Sequence, residues 1–277
     1  MSVRGEVGDR GPMPPAPEPL PVAVPDSHTH LDLQDTEVAA AVAAAAAVGV
    51  DRLIQIGIDV ASSRWSAQVA AEHEQVWATV ALHPNEAPRL TDLDAALAEI
   101  DALAARAQVR GIGETGLDHF RSDESQWEAQ EASFRAHIEI AKRHGKTLVI
   151  HDREAHADVL RILLAEGAPE RVVFHCFSGD VQMAKVCTDR GYVMSFAGNV
   201  TFRNNQHLRD ALAVAPAELV LVETDAPFLA PLPHRGRPCA PYLIPLTLRA
   251  MAQVKGMDVA ELGVVVAATA ERMFGPF

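Results

Sequence analysis

The chain alternates between short runs of apolar residues and longer segments whose apolar residues recur every three or four positions. The short runs predict buried β-strands, and the longer segments predict amphipathic helices. Eight strands are predicted, at Ala23–Ser27, Arg52–Ile58, Val76–Ala81, Val109–Glu114, Thr147–His151, Val172–His175, Tyr192–Phe196 and Leu219–Glu223. The predicted helices are Thr36–Val48, Ala61–Glu74, Leu93–Ala105, Ser125–His144, Ala155–Glu166, Val181–Arg190, Asn205–Val214, Leu243–Val254 and Val259–Phe274.

The order of these elements predicts the fold class. Strands that alternate with helices form parallel sheets through right-handed crossovers, and eight such units close into a barrel of about 250 residues. An open doubly wound sheet is the rival, but its first strand usually leads into a glycine-rich phosphate loop. The first strand here leads instead into Ser27–Asp32, which has no glycine. We therefore predict an α/β fold, a single (β/α)₈ TIM barrel.

The first 22 residues differ in composition from the rest of the chain. They are rich in proline and glycine, as in Gly11–Pro17. A segment of this kind buries too little apolar surface to fold by itself. We expect residues 1–22 to be a flexible, disordered tail and residues 23–277 to form the barrel domain.

The chain is acidic, with a formal net charge of -13 and a pI near 5.3. Neutralising phosphates requires Lys and Arg, so this charge counts against a nucleic-acid partner. The objection weakens if divalent metals meet the phosphates within one cleft.

The cysteines and the N-terminus bear on the compartment. The 3 cysteines form no Cys-x-x-Cys pair, and Met1–Pro25 lacks a continuous apolar stretch of signal-peptide length. We expect reduced thiols, a cytoplasmic location and no membrane association. The oligomeric state is left open, and a monomer is compatible with the sequence.

Histidine and acidic residues fall where the predicted strands end. They are His28, His30, Glu114, His151, His175 and, just after the last strand, Asp225. In a barrel, the carboxyl ends of different strands converge on one face. A lone histidine at a strand end is more often a structural residue. Four histidines and two acids at the ends of five strands would rarely occur together by chance, so the set as a whole predicts a metal site.

Imidazoles and carboxylates together bind zinc and similar divalent ions. The rings of His28 and His30 lie on one side of an extended chain, so both can reach one ion. The whole set exceeds what one ion needs, which predicts two divalent ions about 3.5–4 Å apart. Glu114 is the expected bridge, because a carboxylate has two oxygens. The metal, whether Zn, Mg, Mn or similar, is left open.

Seven short motifs stand in a fixed order along the chain. They are Asp26–Asp32, Leu82–Pro84, Gly113–Asp118, Ile150–Arg153, His175–Gly179, Glu223–Pro227 and Pro233–Gly236. In order and spacing this set resembles the TatD family of metal-dependent deoxyribonucleases. The resemblance runs from about Pro25 to the C-terminus. Two segments depart from the family pattern: Arg237–Pro241 and Thr269–Phe274.

The resemblance implies a TIM-barrel hydrolase with divalent metals and deoxyribonuclease activity, often 3′→5′ on single strands. The implied ligands of one ion are His28, His30, Glu114 and Asp225, and those of the other are Glu114, His151 and His175. Asp225 would also take the proton of the metal-activated water that attacks the phosphodiester. Asp225 and Glu114 are therefore the expected catalytic residues, and single-stranded DNA is the expected substrate.

Five further residues are candidates for binding substrate: Arg153, His83, Asn199, His234 and Arg235. Arg153 follows a predicted ligand by two positions and so projects to the same face of the strand. His83 and Asn199 follow strands, where they either line the pocket or support a ligand. For Arg235, a solvated loop charge is an equal alternative.

Two other functions compete with the nuclease. The nearest is an amidohydrolase-type barrel acting on an ester or amide, including aminoacyl-tRNA esters. Many such enzymes bridge their metals with a modified Lys, whereas the fourth strand offers Glu114. The second is a non-catalytic, metal-binding scaffold, which the complete set of polar ligands argues against.

Overall fold

The computed structural model describes residues 11–275, in which all the predicted strands and helices are present. The strands are β1 (Val24–Thr29), β2 (Val50–Ile56), β3 (Val76–Val80), β4 (Val109–Asp118), β5 (Thr147–Arg153), β6 (Val172–Phe174), β7 (Val193–Phe196) and β8 (Val220–Val222). The α-helices are α1 (Val38–Ala46), α2 (Val60–Glu72), α3 (Leu93–Ala104), α4 (Glu124–His144), α5 (His156–Glu166), α6 (Val181–Asp189), α7 (Gln206–Val214), α8 (Ile244–Lys255) and α9 (Val259–Phe274). Within residues 11–275, no helix combines the length and the apolar character needed to cross a membrane.

The strands follow one another in a single sheet in the order of the chain, from β1 to β8. Parallel pairing joins β3 to β4, β4 to β5, β5 to β6, and β7 to β8. A parallel bridge joins Thr29, at the end of β1, to Ala226, just after β8. This is the (β/α)₈ class of fold, so the predicted fold class is confirmed.

The chain divides into two compact units. One comprises residues 55–175, in which β3 is buried along its whole length and Phe134 and Ile138 of α4 are fully buried. The other comprises residues 11–54 and 176–275 of the described chain, and here β7 and β8 are buried throughout. Strands buried on both faces explain the continuous apolar runs that the sequence shows.

Two strands extend further than the apolar pattern predicts. β4 continues to Asp118 and β5 to Arg153, and the two remain paired from Thr115↔Ile150 to Asp118↔Arg153. Glu114 therefore lies within β4 and not at its end, which corrects the prediction. The pattern fails because the added residues, apart from Leu117, are polar or glycine. A Cβ on Gly116 would lie 2.1 Å from the carbonyl oxygen of His151, so the close pairing requires glycine.

The proline-rich segment is bound to the unit that contains it. We expected a mobile tail through residue 22; residues 1–10 lie outside the described residues, but residues 12–20 make defined contacts. The Tyr242 hydroxyl donates to the Pro14 carbonyl at 2.6 Å, and an Arg249 Nη2 donates to the Glu18 carbonyl at 2.9 Å. Leu20 is buried, and its N–H donates to the Val48 carbonyl. The segment is therefore held by hydrogen bonds to Tyr242, Arg249 and Val48.

One buried histidine fixes α4 against the end of β3. His137 accepts a hydrogen bond at Nε2 from the backbone N–H of Leu82 at 3.0 Å, and its Nδ1 donates to the Ser133 carbonyl at 2.7 Å. Both ring nitrogens are therefore satisfied only when the ring is neutral. Burial lowers the pKa of His137 from 6.5 to about 4.

Protonation of His137 should destabilise the fold at acid pH. Because its folded-state pKa is depressed, the unfolded chain binds more protons below pH 6.5. Stability is therefore lost as the pH falls from 6.5 towards 4. Between pH 7 and pH 5 this group should remove about 2 kcal/mol of the free energy of unfolding. His137→Gln keeps an acceptor for the Leu82 N–H but cannot be protonated in this range. Between pH 7 and pH 5 we therefore expect this variant to lose about 2 kcal/mol less of its free energy of unfolding than the unsubstituted protein loses.

Urea denaturation at several pH values measures this difference. His144→Gln is the matched control, because His144 lies on the same helix but is only partly buried beside Asp101. Identical pH slopes for the unsubstituted protein and His137→Gln would contradict the assignment.

Candidate functional site

The unit that contains β1 and β8 brings two histidines and a carboxylate together. The Nε2 atoms of His28 and His30 lie 3.3 Å apart, and Asp225 Oδ1 lies 3.8 Å from the first and 3.5 Å from the second. Ligands at about 2.1 Å in a tetrahedral site are spaced about 3.4 Å apart, so these distances fit three ligands of one ion. The sequence-based grouping of His28, His30 and Asp225 is reproduced within this unit.

Local backbone geometry aims these side chains at one point. His28 and His30 are two positions apart at the end of β1, so their rings lie on the same side of the chain. Asp225 adopts a positive φ of 55°, a conformation that Asp tolerates better than most residues. The Asp225 N–H donates to the His28 carbonyl at 2.9 Å, and the His30 N–H donates to the Ala226 carbonyl. These hydrogen bonds between the end of β1 and the residues after β8 therefore position the three side chains.

Two buried acids next to this cluster were missed by sequence reasoning. Asp26 accepts hydrogen bonds from the backbone N–H of Thr224 at 2.9 Å and of His28 at 3.2 Å. Burial, opposed by the Thr224 hydrogen bonds, raises the pKa of Asp26 to about 8. Glu223 accepts from the Cys176 N–H at 2.8 Å. Both acids lie inside recognised motifs, which is the signal that could have identified them.

The unit of residues 55–175 is centred on the carboxylate of Glu114. Its Oε1 lies 2.8 Å from His151 Nδ1, 3.1 Å from His175 Nε2 and 3.2 Å from His83 Nε2. The three histidines come from three places, namely the loop after β3, the strand β5 and the residue after β6. The predicted proximity of Glu114, His151 and His175 is thus found within this unit.

The tautomer of His83 separates it from the other two histidines. The backbone N–H of Asn85 donates to His83 Nδ1 at 3.0 Å, so in the neutral ring the proton resides on Nε2. Burial lowers the pKa of His83, although the Glu114 charge opposes this, and the ring is therefore neutral. His83 acts as a hydrogen-bond donor to Glu114, whereas the sequence left open whether it lines the pocket or supports a ligand.

His151 is held from its far side by Asp118, a residue that sequence reasoning did not nominate. His151 Nε2 lies 3.2 Å from Asp118 Oδ2 while Nδ1 faces Glu114. Asp118 also accepts from Asn85 Nδ2 at 2.9 Å. A carboxylate on the far nitrogen fixes the orientation of a metal-binding imidazole. The signal was available, because Asp118 closes the motif that begins at Gly113.

The charges in this cluster are mutually dependent. Burial raises the pKa of Glu114, but the interactions with His175 and His83 and the hydrogen bond from His151 outweigh burial, so that the pKa lies well below its usual value. Burial lowers the pKa of His151, but the hydrogen bonds with Asp118 and Glu114 outweigh burial and raise it. The carboxylate is therefore ionised, as a metal ligand must be.

Both clusters fit a divalent cation by their donor chemistry. Each offers imidazole nitrogens and a carboxylate oxygen. The ligand atoms lie within 4.8 Å of one another for His28, His30 and Asp225 in the first cluster and for His83, Glu114 and His151 in the second. Mixed nitrogen and oxygen donors suit zinc, manganese and similar ions. Sequence and geometry leave the number and identity of the ions open.

Besides His83, four residues were predicted to bind substrate, and the structure gives the contacts of each. The Arg153 guanidinium lies 4.1 Å from the ring centroid of Phe120, whose side chain is 57% exposed. Asn199 Nδ2 lies 3.7 Å from the sulfur of Cys176. The Arg235 guanidinium lies 4.5 Å from the ring centroid of Phe202. The backbone N–H of His234 donates to the Pro231 carbonyl.

Comparisons with known sequences agree with the motifs. The sequence model of the TatD related DNase family matches residues 25–275. The chain is 43% identical over 231 residues to an uncharacterized metal-dependent hydrolase, TatD, of Mycobacterium tuberculosis, covering 82% of this chain and 87% of that protein. It is 35% identical over 233 residues to the 3′-5′ ssDNA/RNA exonuclease TatD of Cronobacter sakazakii, covering 82% and 87%.

Solved structures agree with the fold. The crystal structure of YJJV, a TatD homolog from Escherichia coli, aligns with a TM-score of 0.86 at 25% identity and covers 91% of this chain and 98% of its own. A TatD family hydrolase from Entamoeba histolytica aligns with a TM-score of 0.81 at 17% identity, covering 92% and 99%. The second likeness shows the fold alone.

Asp118→Asn should weaken metal binding. The asparagine keeps one oxygen for the backbone but presents an NH₂ group that cannot accept from His151 Nε2. We expect a loss of about 10–100-fold in the affinity for Zn²⁺ or Mn²⁺, measured by competition with a fluorescent chelator.

Asp152→Asn is the matched control, since Asp152 is the neighbour of His151 on β5 but bonds His156 on α5. Its metal affinity should stay near that of the unsubstituted protein. Equal affinities for both variants would show that Asp118 does not hold a ligand.

Proposed function

The chain belongs to the TatD family of metal-dependent hydrolases, and from this premise we propose that it cleaves phosphodiester bonds in single-stranded DNA, as a 3′→5′ exonuclease. The observation that carries the proposal is the convergence of His28, His30 and Asp225 at the spacing of metal ligands. The substrate is supported by a relative of 35% identity that is named a 3′-5′ ssDNA/RNA exonuclease.

Bound divalent ions would neutralise phosphate charge and lower the pKa of water. His28, His30 and Asp225 are proposed to hold an ion in their unit, and Glu114, His151 and His175 to supply ligands in the other. His83 and Asp118 act through them, because one donates to Glu114 and the other fixes the His151 ring.

Asp225 is the proposed general base. Its side chain is partly exposed, at 15%, whereas those of His28 and His30 are buried. A carboxylate that contacts both a metal ligand and solvent is placed to accept a proton from an attacking water. The backbone bond from Asp225 to the His28 carbonyl keeps it in this position.

We also propose a cytoplasmic location. Within residues 11–275 no disulfide joins Cys176, Cys187 and Cys239, and two of them are buried. Reduced cysteines are typical of a reducing compartment.

Asp225→Asn should reduce turnover strongly. The amide keeps an oxygen near His28 and His30 but cannot accept a proton at neutral pH. We expect kcat to fall by about 10²–10⁴-fold, the usual contribution of a general base, while KM changes little. The assay follows stepwise shortening of a 5′-labelled single-stranded oligodeoxynucleotide with Mg²⁺, Mn²⁺ or Zn²⁺ and with chelator.

Asp210→Asn is the control, because Asp210 is an exposed carboxylate on α7 that bonds only the neighbouring turn through Gln206. It should retain full activity. If Asp225→Asn is as active as this control, the general-base role is rejected. If the unsubstituted protein binds metal but cleaves no oligonucleotide, the phosphodiester proposal fails in favour of an ester or amide substrate.

A further inference from the structure

A cavity of about 200 Å³ lies in the unit that contains β8. Its lining residues are Phe202, Leu229, Ala230, Arg235, Gly236 and Arg237. Most of them belong to the loop that leads from β8 to α8, and this loop also contains Asp225. Two arginines, one aromatic ring and an aliphatic wall thus share one small space.

The two guanidinium groups carry charge that no acid compensates. Within residues 11–275, neither Arg235 nor Arg237 forms an ion pair with a carboxylate, whereas Arg64, Arg135 and Arg161 do. Arg235 lies over Phe202, a neutral partner. In a chain of net charge -13, unpaired cations lining a cavity make a local positive potential that attracts an anion.

Arg237 is held in place by the proline-rich segment. Its Nε and Nη2 donate to the Pro12 carbonyl at 3.0 and 2.7 Å, and Nη2 also donates to the Met13 carbonyl at 3.2 Å. Neutral carbonyl acceptors leave the positive charge uncancelled. They also leave Nη1 to donate elsewhere, and they restrict the guanidinium to one orientation.

The wall of the cavity is a fixed loop. Leu229 has a positive φ of 53°, which is unusual for a branched residue. Its carbonyl oxygen would lie 2.1 Å from a Cβ on Gly198, so the approach of the two segments requires glycine there. The N–H of Cys239 donates to the Pro227 carbonyl at 3.2 Å and closes the loop behind the cavity.

The loop also connects the cavity to the His28, His30 and Asp225 cluster. Phe228, the neighbour of Leu229, packs edge-on against His30 with ring centroids 6.3 Å apart. Its N–H donates to the Asp225 carbonyl at 2.9 Å. A strand held by the cluster would therefore pass close to the cavity.

We propose that this cavity is a subsite for a backbone phosphate of the single-stranded substrate, next to the phosphodiester that is cleaved. Arg235 and Arg237 contact the phosphate oxygens, and Phe202, Leu229 and Ala230 form the wall against the attached sugar or base. The inference rests on the proposed function, and it assigns Arg237 a role that depends on the Pro12 and Met13 carbonyls.

Arg235→Gln and Arg237→Gln test the subsite in the full-length protein. The probe is a fluorescein-labelled single-stranded dodecathymidylate with chelator present, so that no turnover occurs, and binding is followed by anisotropy at several salt concentrations. Each substitution should weaken binding about tenfold, since a charged hydrogen bond is lost. Each should also reduce the slope of log K against log salt by about 0.7, the share of one phosphate contact on a single strand.

Arg249→Gln is the matched control. It removes the same charge and also donates to carbonyls of the proline-rich segment, at Glu18 and Pro19, but it does not line the cavity. Its affinity and salt slope should equal those of the unsubstituted protein. Melting temperatures show whether Arg237→Gln has released the segment, and Arg235→Gln, which makes no contact with that segment, tests the subsite independently.

The outcomes separate the subsite from the proposed function. A protein that cleaves the oligonucleotide with metal, but whose Arg235→Gln and Arg237→Gln variants keep the affinity and slope of Arg249→Gln, has no phosphate subsite here. A protein that neither binds nor cleaves the oligonucleotide overturns both proposals. A loss of affinity with an unchanged salt slope would also overturn the subsite, because it indicates a structural role for the arginines.

Discussion

The burial of the Glu114 carboxylate is the constraint on which the 55–175 unit depends. An ionised carboxylate removed from water is strongly destabilising unless charged or hydrogen-bonding groups surround it. His83, His151 and His175 supply those groups. Because each comes from a different strand or loop, the positions of β3, β5 and β6 relative to β4 are tied to one oxygen atom.

Much of this arrangement could be predicted from the sequence, and the reasons differ by residue. The strands and helices follow from apolar periodicity, which is strong here because the strands are buried on both faces. His28, His30 and Asp225 follow from their positions at strand ends, and their distances match. Asp118 lies in a recognised motif, but its role did not follow from the sequence, because its partner His151 is 33 positions away and the pairing of β4 with β5 brings them together.

Other features were hidden for physical reasons that periodicity does not capture. The extension of β4 past Glu114 consists, apart from Leu117, of polar residues and glycine, whose strand conformation is imposed by pairing with β5. The tautomer of His83 depends on a backbone N–H two residues away. The net charge of -13 does not describe the local potential, since it counts paired surface acids together with a cavity where cations are unpaired.

The proline-rich segment contacts the rest of its unit mainly through backbone carbonyls, at Pro12, Met13, Pro14, Glu18 and Pro19. Every amino acid supplies a carbonyl, so these contacts constrain the path of the segment more than the identity of its side chains. Proline suits such a path, since its fixed φ favours an extended chain and it has no N–H to satisfy. The family match begins only at residue 25. Substitution of its exposed side chains would therefore leave these carbonyl contacts in place as long as the backbone keeps its path, whereas Leu20, which is buried, is constrained by its side chain as well.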